Sequence, residues 1–188
     1  MLEQIIQLDK ELFIFLNNLG SEPFDSLWLF ITKQLHWTPF FLFVFYLLQK
    51  KIGWKNFGIV VVLLALMITF TDQMTNLMKN SVQRLRPCND EELKGLIRVV
   101  KSSKSFSYFS GHASNSMAST VLIFAILRQY YRHAYLLFLF PLIFAYSRIY
   151  LGLHFPADIL SGYVFGALTG FAFYKIYILV KRKYFPQL

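Results

Sequence analysis

From Trp54 the chain runs almost without interruption through apolar residues to Thr71-Asp72, and only over the last two turns before Lys79 does it become polar. In hydrocarbon a stretch of this kind has one stable form, a helix that satisfies its own backbone N–H and C=O groups. The change at Asp72 marks a helix leaving lipid for a protected site. Four further segments share the apolar pattern: 35–48, 112–128, 133–150 and 156–180. The first is short of the roughly 20 residues a span needs, so it is expected to borrow a turn from the segment before it. Lys50, Lys51 and Lys55 end it, Pro156 suits the first turn of the last segment, and Lys181-Arg182-Lys183 closes that segment. The sequence predicts an all-α, integral membrane helical bundle of about five to six transmembrane helices.

Composition agrees. Hydrophobic residues make up 56% of the 188 and charged residues 15%, against roughly a quarter charged in soluble domains. The net charge of +9 is not gathered into a basic tail or an aromatic-interleaved patch, which argues against a nucleic-acid partner. With Cys88 the only cysteine, an internal disulfide and a paired-cysteine metal or redox site are excluded. Residues 2–17 place Ile5, Leu8, Leu12, Phe15 and Leu16 at helical spacing, the pattern of an amphipathic helix lying in the interface, too polar to span. Glu3 and Asp9 stand where a cleavable signal would be basic, so insertion is expected to depend on the mature helices. Gly20 to Pro23 ends that helix, and the aromatic stretch 24–34 either spans or re-enters. The expected organisation is a single domain, with interfacial or re-entrant helices over 1–34 and a membrane-embedded domain over 35–188.

Five spans alternate sides. Lys79 to Ser110 and Arg148 to Asp158 then emerge on one face, and Lys50 to Lys55, Arg128 to Arg132 and the C-terminal basic run on the other. Weighting short loops as the positive-inside rule requires, the second set reads as cytoplasmic. A multi-pass protein of the bacterial cytoplasmic membrane results, its polar connections facing the periplasmic or extracellular side.

Those connections carry three short runs: Lys79 and Arg86-Pro87, Ser110-Gly111-His112, and Ser147-Arg148 with His154 and Asp158. A phosphate ester spreads charge over several oxygens, and a protein that binds it without metal needs several fixed donors. Lys79, Arg86 and Arg148 supply three cations, the arginines through their forked guanidinium. Ser110 and the backbone N–H groups of Gly111 and His112, at the start of a helix, add neutral donors. His154 and Asp158 are four residues apart at a helix start, so Asp158 can hold one imidazole nitrogen and leave the other free to attack phosphorus. His112 arrives from another helix and suits the general acid. No metal or other cofactor is called for.

Together the runs resemble the signature of the type 2 phosphatidic acid phosphatase superfamily, membrane lipid phosphatases related to bacterial acid phosphatases and vanadium haloperoxidases. The resemblance covers roughly residues 54–175. It implies that His154 is the nucleophile forming a phosphohistidine, Asp158 its partner and His112 the acid/base, and that Lys79, Arg86, Ser110, Gly111 and Arg148 bind the phosphoryl group. The family's second run usually reads Pro-Ser-Gly-His, and here Phe109 replaces the proline, which bears on loop geometry. A vanadate cofactor is disfavoured because those relatives are typically large soluble proteins.

The expected activity is hydrolysis of a membrane lipid phosphate or diphosphate drawn from the bilayer. Undecaprenyl diphosphate is favoured, with lipid A phosphate, phosphatidylglycerophosphate and phosphatidate as further candidates. The alternative is a non-enzymatic lipid-phosphate transporter or binding protein, which fits poorly with five spans lacking an inverted repeat. Asp72, two turns before Lys79, reads as a structural partner for one of the site cations. Trp37, Trp54, Tyr130 and Tyr131 read as interfacial anchors and His36 and His133 as satisfied interfacial histidines. Oligomeric state is not addressed by the residues.

Overall fold

The computed structural model describes residues 2–184, which form helices and connecting turns with no strand among them. The α-helices are α1 (Leu2–Asn18), α2 (Asp25–Ile31), α3 (Thr38–Val82), α4 (Gly111–Leu127), α5 (Leu139–Tyr150) and α6 (Pro156–Tyr184). The first two apolar segments of the sequence are successive limbs of α3. They meet at Gly53, whose φ of 73° and ψ of 166° are open to a residue without Cβ. The extra turn the first segment needs comes from a 3₁₀ turn over Gln34–Trp37, and another 3₁₀ turn, Ala134–Phe138, leads into α5.

Two stretches, Gln34–Leu93 and Pro156–Lys183, are long and apolar enough to cross a membrane, and Gly111–Leu127 and Ala134–Tyr150 are shorter apolar helices. Val62, Leu66 and Phe70 on α3 and Leu160, Val164 and Leu168 on α6 are exposed at a spacing of four residues. Such outward apolar stripes suit a lipid surround. Inside, Val44, Leu48, Val60, Met67, Leu122, Ile126 and Tyr177 build the main core between both limbs of α3, α4 and α6.

The tightest helix pair is α4 with α6, and glycine makes it so. A Cβ at Gly162 would lie 2.7 Å from the Ser110 carbonyl oxygen, one at Gly166 2.4 Å from that of Ser114, and one at Gly170 2.4 Å from that of Ala118. The two backbones are in contact along matching four-residue steps, the small-residue packing that membrane helices use in place of a hydrophobic drive. This register sets the first turn of α4 beside the first turn of α6.

Helix α1 is amphipathic as expected, with Ile5, Leu8, Leu12 and Phe15 exposed. Its opposite face, however, is docked into the protein. Asp9, Phe13 and Asn17, each four residues on, are buried, Phe13 edge-on to Phe155 at 5.3 Å. The Asn17 amide bonds the carbonyls of Arg98, Ile149 and Tyr150, and its oxygen accepts from the Arg98 N–H at 2.7 Å. Trp37 also has an inward role: its Nε1 donates to the Ile31 carbonyl and its ring meets Phe140 at 4.7 Å.

Candidate active site

The last turn of α3, the first of α4, the last of α5 and the first of α6 come together at one end of the bundle. Lys79, Arg86, His112, Arg148 and His154 lie within electrostatic range of one another there. His154 sits in the connection between α5 and α6, whose backbone folds back so that the N–H groups of Leu153 and His154 both bond the Arg148 carbonyl. Gly152, at φ 82°, permits the reversal.

His154 is 1% exposed and Asp158 fully buried. The imidazole Nδ1 lies 3.4 Å from Asp158 Oδ2, and Nε2 lies 3.2 Å from Arg86 Nη1. Arg86 can only donate, so Nε2 carries the lone pair and Nδ1 the proton. Burial, opposed by the Asp158 carboxylate and reinforced by Arg86 and Arg148, holds the imidazole well below its ordinary range, so it is neutral near pH 7. Asp158 is itself held on all sides. Its Oδ2 accepts from the Phe155 N–H at 2.9 Å, the reach-back of a residue in a helix's first turn, and from the Ser107 hydroxyl; its Oδ1 accepts from Arg84 Nη1 at 2.9 Å.

The phosphate-binding candidates are placed as follows. Arg86 is buried and fixed by the Ser105 carbonyl and hydroxyl and the Leu153 carbonyl. Arg148 is buried, with Nη1 donating to Thr32 Oγ1 at 2.7 Å and Nε without a hydrogen-bond partner among the described residues. Ser110 caps α4: its hydroxyl oxygen accepts from Ala113 N and its N–H donates to the Asp158 carbonyl, leaving the hydroxyl proton free to donate. The first N–H groups of α4, those of Gly111 and His112, have no partner within the helix. A Cβ at Gly111 would meet Thr75 at 3.2 Å. His112 stacks on Phe144 with centroids 5.1 Å apart. Phe109, in the position where proline is usual, is buried against Phe165 at 5.0 Å.

Lys79, Gly111 and His112 line a cavity of about 700 Å³ between α3, α4 and α5. Away from them its wall becomes apolar through Ile68, Leu64, Ile123, Phe41 and Phe45. His154, Asp158, Arg86 and Arg148 do not line it and are buried.

Four residues that motif reasoning passed over belong to this constellation. Arg84 was visible only as one charge in a hydrophilic connection, yet it bridges Asp158 to Asp9 of α1, with Nη2 2.6 Å from Asp9 Oδ2 and its guanidinium over the Phe155 ring at 3.9 Å. Asp9 also accepts from the Ala157 N–H at the start of α6, at 2.8 Å. Its signal was the spacing Asp9, Phe13, Asn17 opposite the apolar face of α1. Ser107 and Thr32 carried none. Asp72 departs from expectation: among the described residues its side chain bonds Asn115 Nδ2 at 2.7 Å and has no ion pair, while Asn115 in turn accepts from the Thr71 hydroxyl. The polar contact between α3 and α4 thus fixes Asp72 within electrostatic range of Lys79, without a direct ion pair.

A sequence model of the PAP2 superfamily matches residues 56–182. The chain is 33% identical over 180 residues to a lipid A 4'-phosphatase of Bacteroides thetaiotaomicron, covering 94% of this chain and 80% of that protein. A lipid A 4'-phosphatase of Porphyromonas gingivalis is 26% identical over 187 residues, covering 97% and 78%. Among solved structures, a transmembrane PAP2 type phosphatidylglycerolphosphate phosphatase from Bacillus subtilis superposes with a TM-score of 0.73 at 18% identity, covering 96% of this chain and 89% of that one. Aquifex aeolicus LpxE superposes with a TM-score of 0.65 at 25% identity, covering 89% and 95%. All-helical architecture, the buried His154–Asp158 pair among converging cations, and a family match over most of the chain agree: this protein belongs to the PAP2 superfamily and is a membrane lipid phosphatase.

Proposed function

We propose that the protein removes a phosphate from a lipid A-type glycolipid, through a phosphohistidine on His154 and without a metal ion. The observation that carries the mechanism is the neutral His154, with Nδ1 turned to Asp158 and the Nε2 lone pair beside Arg86. Nε2 attacks phosphorus and the ester P–O bond breaks, while His112 gives its proton to the leaving sugar oxygen. The now cationic imidazole is stabilised through Nδ1 by Asp158. His112 then takes a proton from water, which attacks the phosphohistidine and releases inorganic phosphate. Lys79, Arg86 and Arg148, with the Ser110 hydroxyl and the N–H groups at the start of α4, hold the charge that a metal supplies elsewhere.

The substrate reading is supported by the relatives, both named for lipid A, which move this candidate ahead of undecaprenyl diphosphate. The reading includes residues 1–34 in the catalytic unit, because Asp9 and Thr32 hold Arg84 and Arg148. It also includes a site on the outer face of the bacterial cytoplasmic membrane, which the positive-inside weighting of the short loops supports. Phosphate release by the purified protein in detergent with EDTA tests it, across lipid A, undecaprenyl diphosphate, phosphatidylglycerophosphate and phosphatidate. Lipid A should be preferred, EDTA should leave the rate nearly intact, and His154→Ala should abolish turnover. A strict requirement for Mg²⁺ or substantial activity of the variant would refute the mechanism; preference for another lipid would refute the substrate.

A further inference from the structure

The walls of the cavity change character at the same depth on both helices. From Lys79 the lining residues of α3 run through Thr75 and Asp72 to Ile68; from His112 those of α4 run through Asn115 and Ser119 to Ile123. Asp72 and Ser119 are each seven residues along, about 10 Å at a rise of about 1.5 Å per residue. Ile68 and Ile123 are each 11 residues along, about 16 Å. The two helices therefore present polar side chains for about 10 Å beyond the phosphate site, roughly the depth of a disaccharide, and hydrocarbon after that.

Within this polar zone Asp72 is the strongest group. Asn115 holds one of its oxygens, and among the described residues it makes no ion pair, Lys79 acting on it only through space. A carboxylate only accepts hydrogen bonds, so it favours a neighbour that donates. A prenyl chain offers neither donors nor acceptors, and the glycerol esters of phosphatidate offer acceptors alone. Either would cover the carboxylate without replacing its water. A second phosphate beside it would add like-charge repulsion. An amino sugar offers hydroxyl and amide N–H donors right next to its phosphoester.

We propose that the first stretch of this cavity is a sugar subsite, in which Asp72, fixed by Asn115, accepts a hydrogen bond from a hydroxyl or amide N–H of the phosphorylated sugar. It thereby selects sugar-borne lipid phosphates over phosphatidate and over phosphates carried on a prenyl chain. This rests on the glycolipid reading above and names the residues that enforce it.

The test is the ratio of kcat/KM on lipid A to kcat/KM on dioleoyl phosphatidate in the same detergent micelles, for the full chain, Asp72→Leu and the milder Asp72→Asn. Losing a hydrogen bond to a charged group should lower the ratio by about tenfold or more in Asp72→Leu, with Asp72→Asn between. An unchanged ratio, with both substrates equally slowed or neither affected, overturns the subsite while leaving the glycolipid reading in place. A wild-type protein that hydrolyses phosphatidate and not lipid A overturns both.

Discussion

Replacing Asp9 by alanine should weaken both the fold and the catalytic rate, although Asp9 lies in a helix outside the three motif runs. The carboxylate receives a charge-assisted bond from Arg84 at 2.6 Å and the Ala157 N–H at 2.8 Å, with side-chain exposures of 8% for Asp9 and 22% for Arg84. An exposed pair is worth at most about 1 kcal/mol, while breaking a fully buried one costs about 3–5 kcal/mol. This pair lies between, so Asp9→Ala should cost about 2–3 kcal/mol, a large part of a total stability of about 5–15 kcal/mol. That corresponds to a fall in Tm of about 5–10 °C for a chain of this size. The same change leaves Arg84 held only by Asp158 and the Phe155 ring among the described residues, so the carboxylate that orients His154 loses its brace. kcat should then fall about tenfold with KM little altered, since no phosphate-binding group is touched. Thermal unfolding in detergent and steady-state kinetics read both effects, and Asp9→Asn keeps the shape while removing the charge. A cycle of Asp9→Ala, Arg84→Ala and the double variant should show coupling of about 1–2 kcal/mol. Additive single effects, or a variant with wild-type Tm and kcat, would refute the proposed chain of contacts.

Gly166→Ala should destabilise strongly because its Cβ would stand 2.4 Å from the Ser114 carbonyl oxygen, whereas Gly58→Ala, with nothing within 4 Å, should be neutral or stabilise by about 0.5–1 kcal/mol; equal Tm values for the two would contradict the helix contact. Because the folded state holds the His154 imidazole below its ordinary value of 6.5, the unfolded chain binds the extra proton first as pH falls through that value. Stability should therefore drop below about pH 6.5, and Tm measured from pH 7.5 to 5 should fall more steeply for the wild type than for His154→Gln. Matching slopes would remove His154 as the source. For topology, Cys88 is half-buried and a poor probe, but Lys94, with 80% side-chain exposure, is a good one. Lys94→Cys in a Cys88→Ser background should react with an impermeant maleimide in intact cells, and reaction only after lysis would reverse the orientation.

What could be read from the chain alone was what repeats or clusters. Five apolar segments were visible because a lipid-facing helix must be apolar along a whole side, and the structure makes the first two into the limbs of α3 and the others into α4, α5 and α6. The motif residues were visible as a set because their spacing near four helix ends is local. Single polar residues that act across the fold were not. Arg84, Ser107 and Thr32 have no pattern around them, and Asp9 was counted as a charge near the start of the chain when its burial depends on where α1 docks. The stripe of Gly162, Gly166 and Gly170 was legible in principle, since its four-residue step is the signature of close helix contact, but its partner on α4 was not. Spacing on α3 brings Asp72 within electrostatic range of Lys79, but its hydrogen bond to Asn115 crosses between helices and leaves no trace in sequence spacing.

Arg86 Nη1 lies on the Nε2 lone pair of His154 while the Ser105 and Leu153 oxygens anchor the rest of the guanidinium. Under the proposed mechanism the nucleophile is thus masked at rest by a hydrogen bond, its electron pair withheld from stray electrophiles diffusing through the site. An arriving phosphate dianion is a far better acceptor than a neutral imidazole, so it draws that N–H to itself and bares the nitrogen in the same motion. On that mechanism the substrate's own charge acts as the deprotecting reagent, and the histidine becomes reactive only when there is something bound for it to attack.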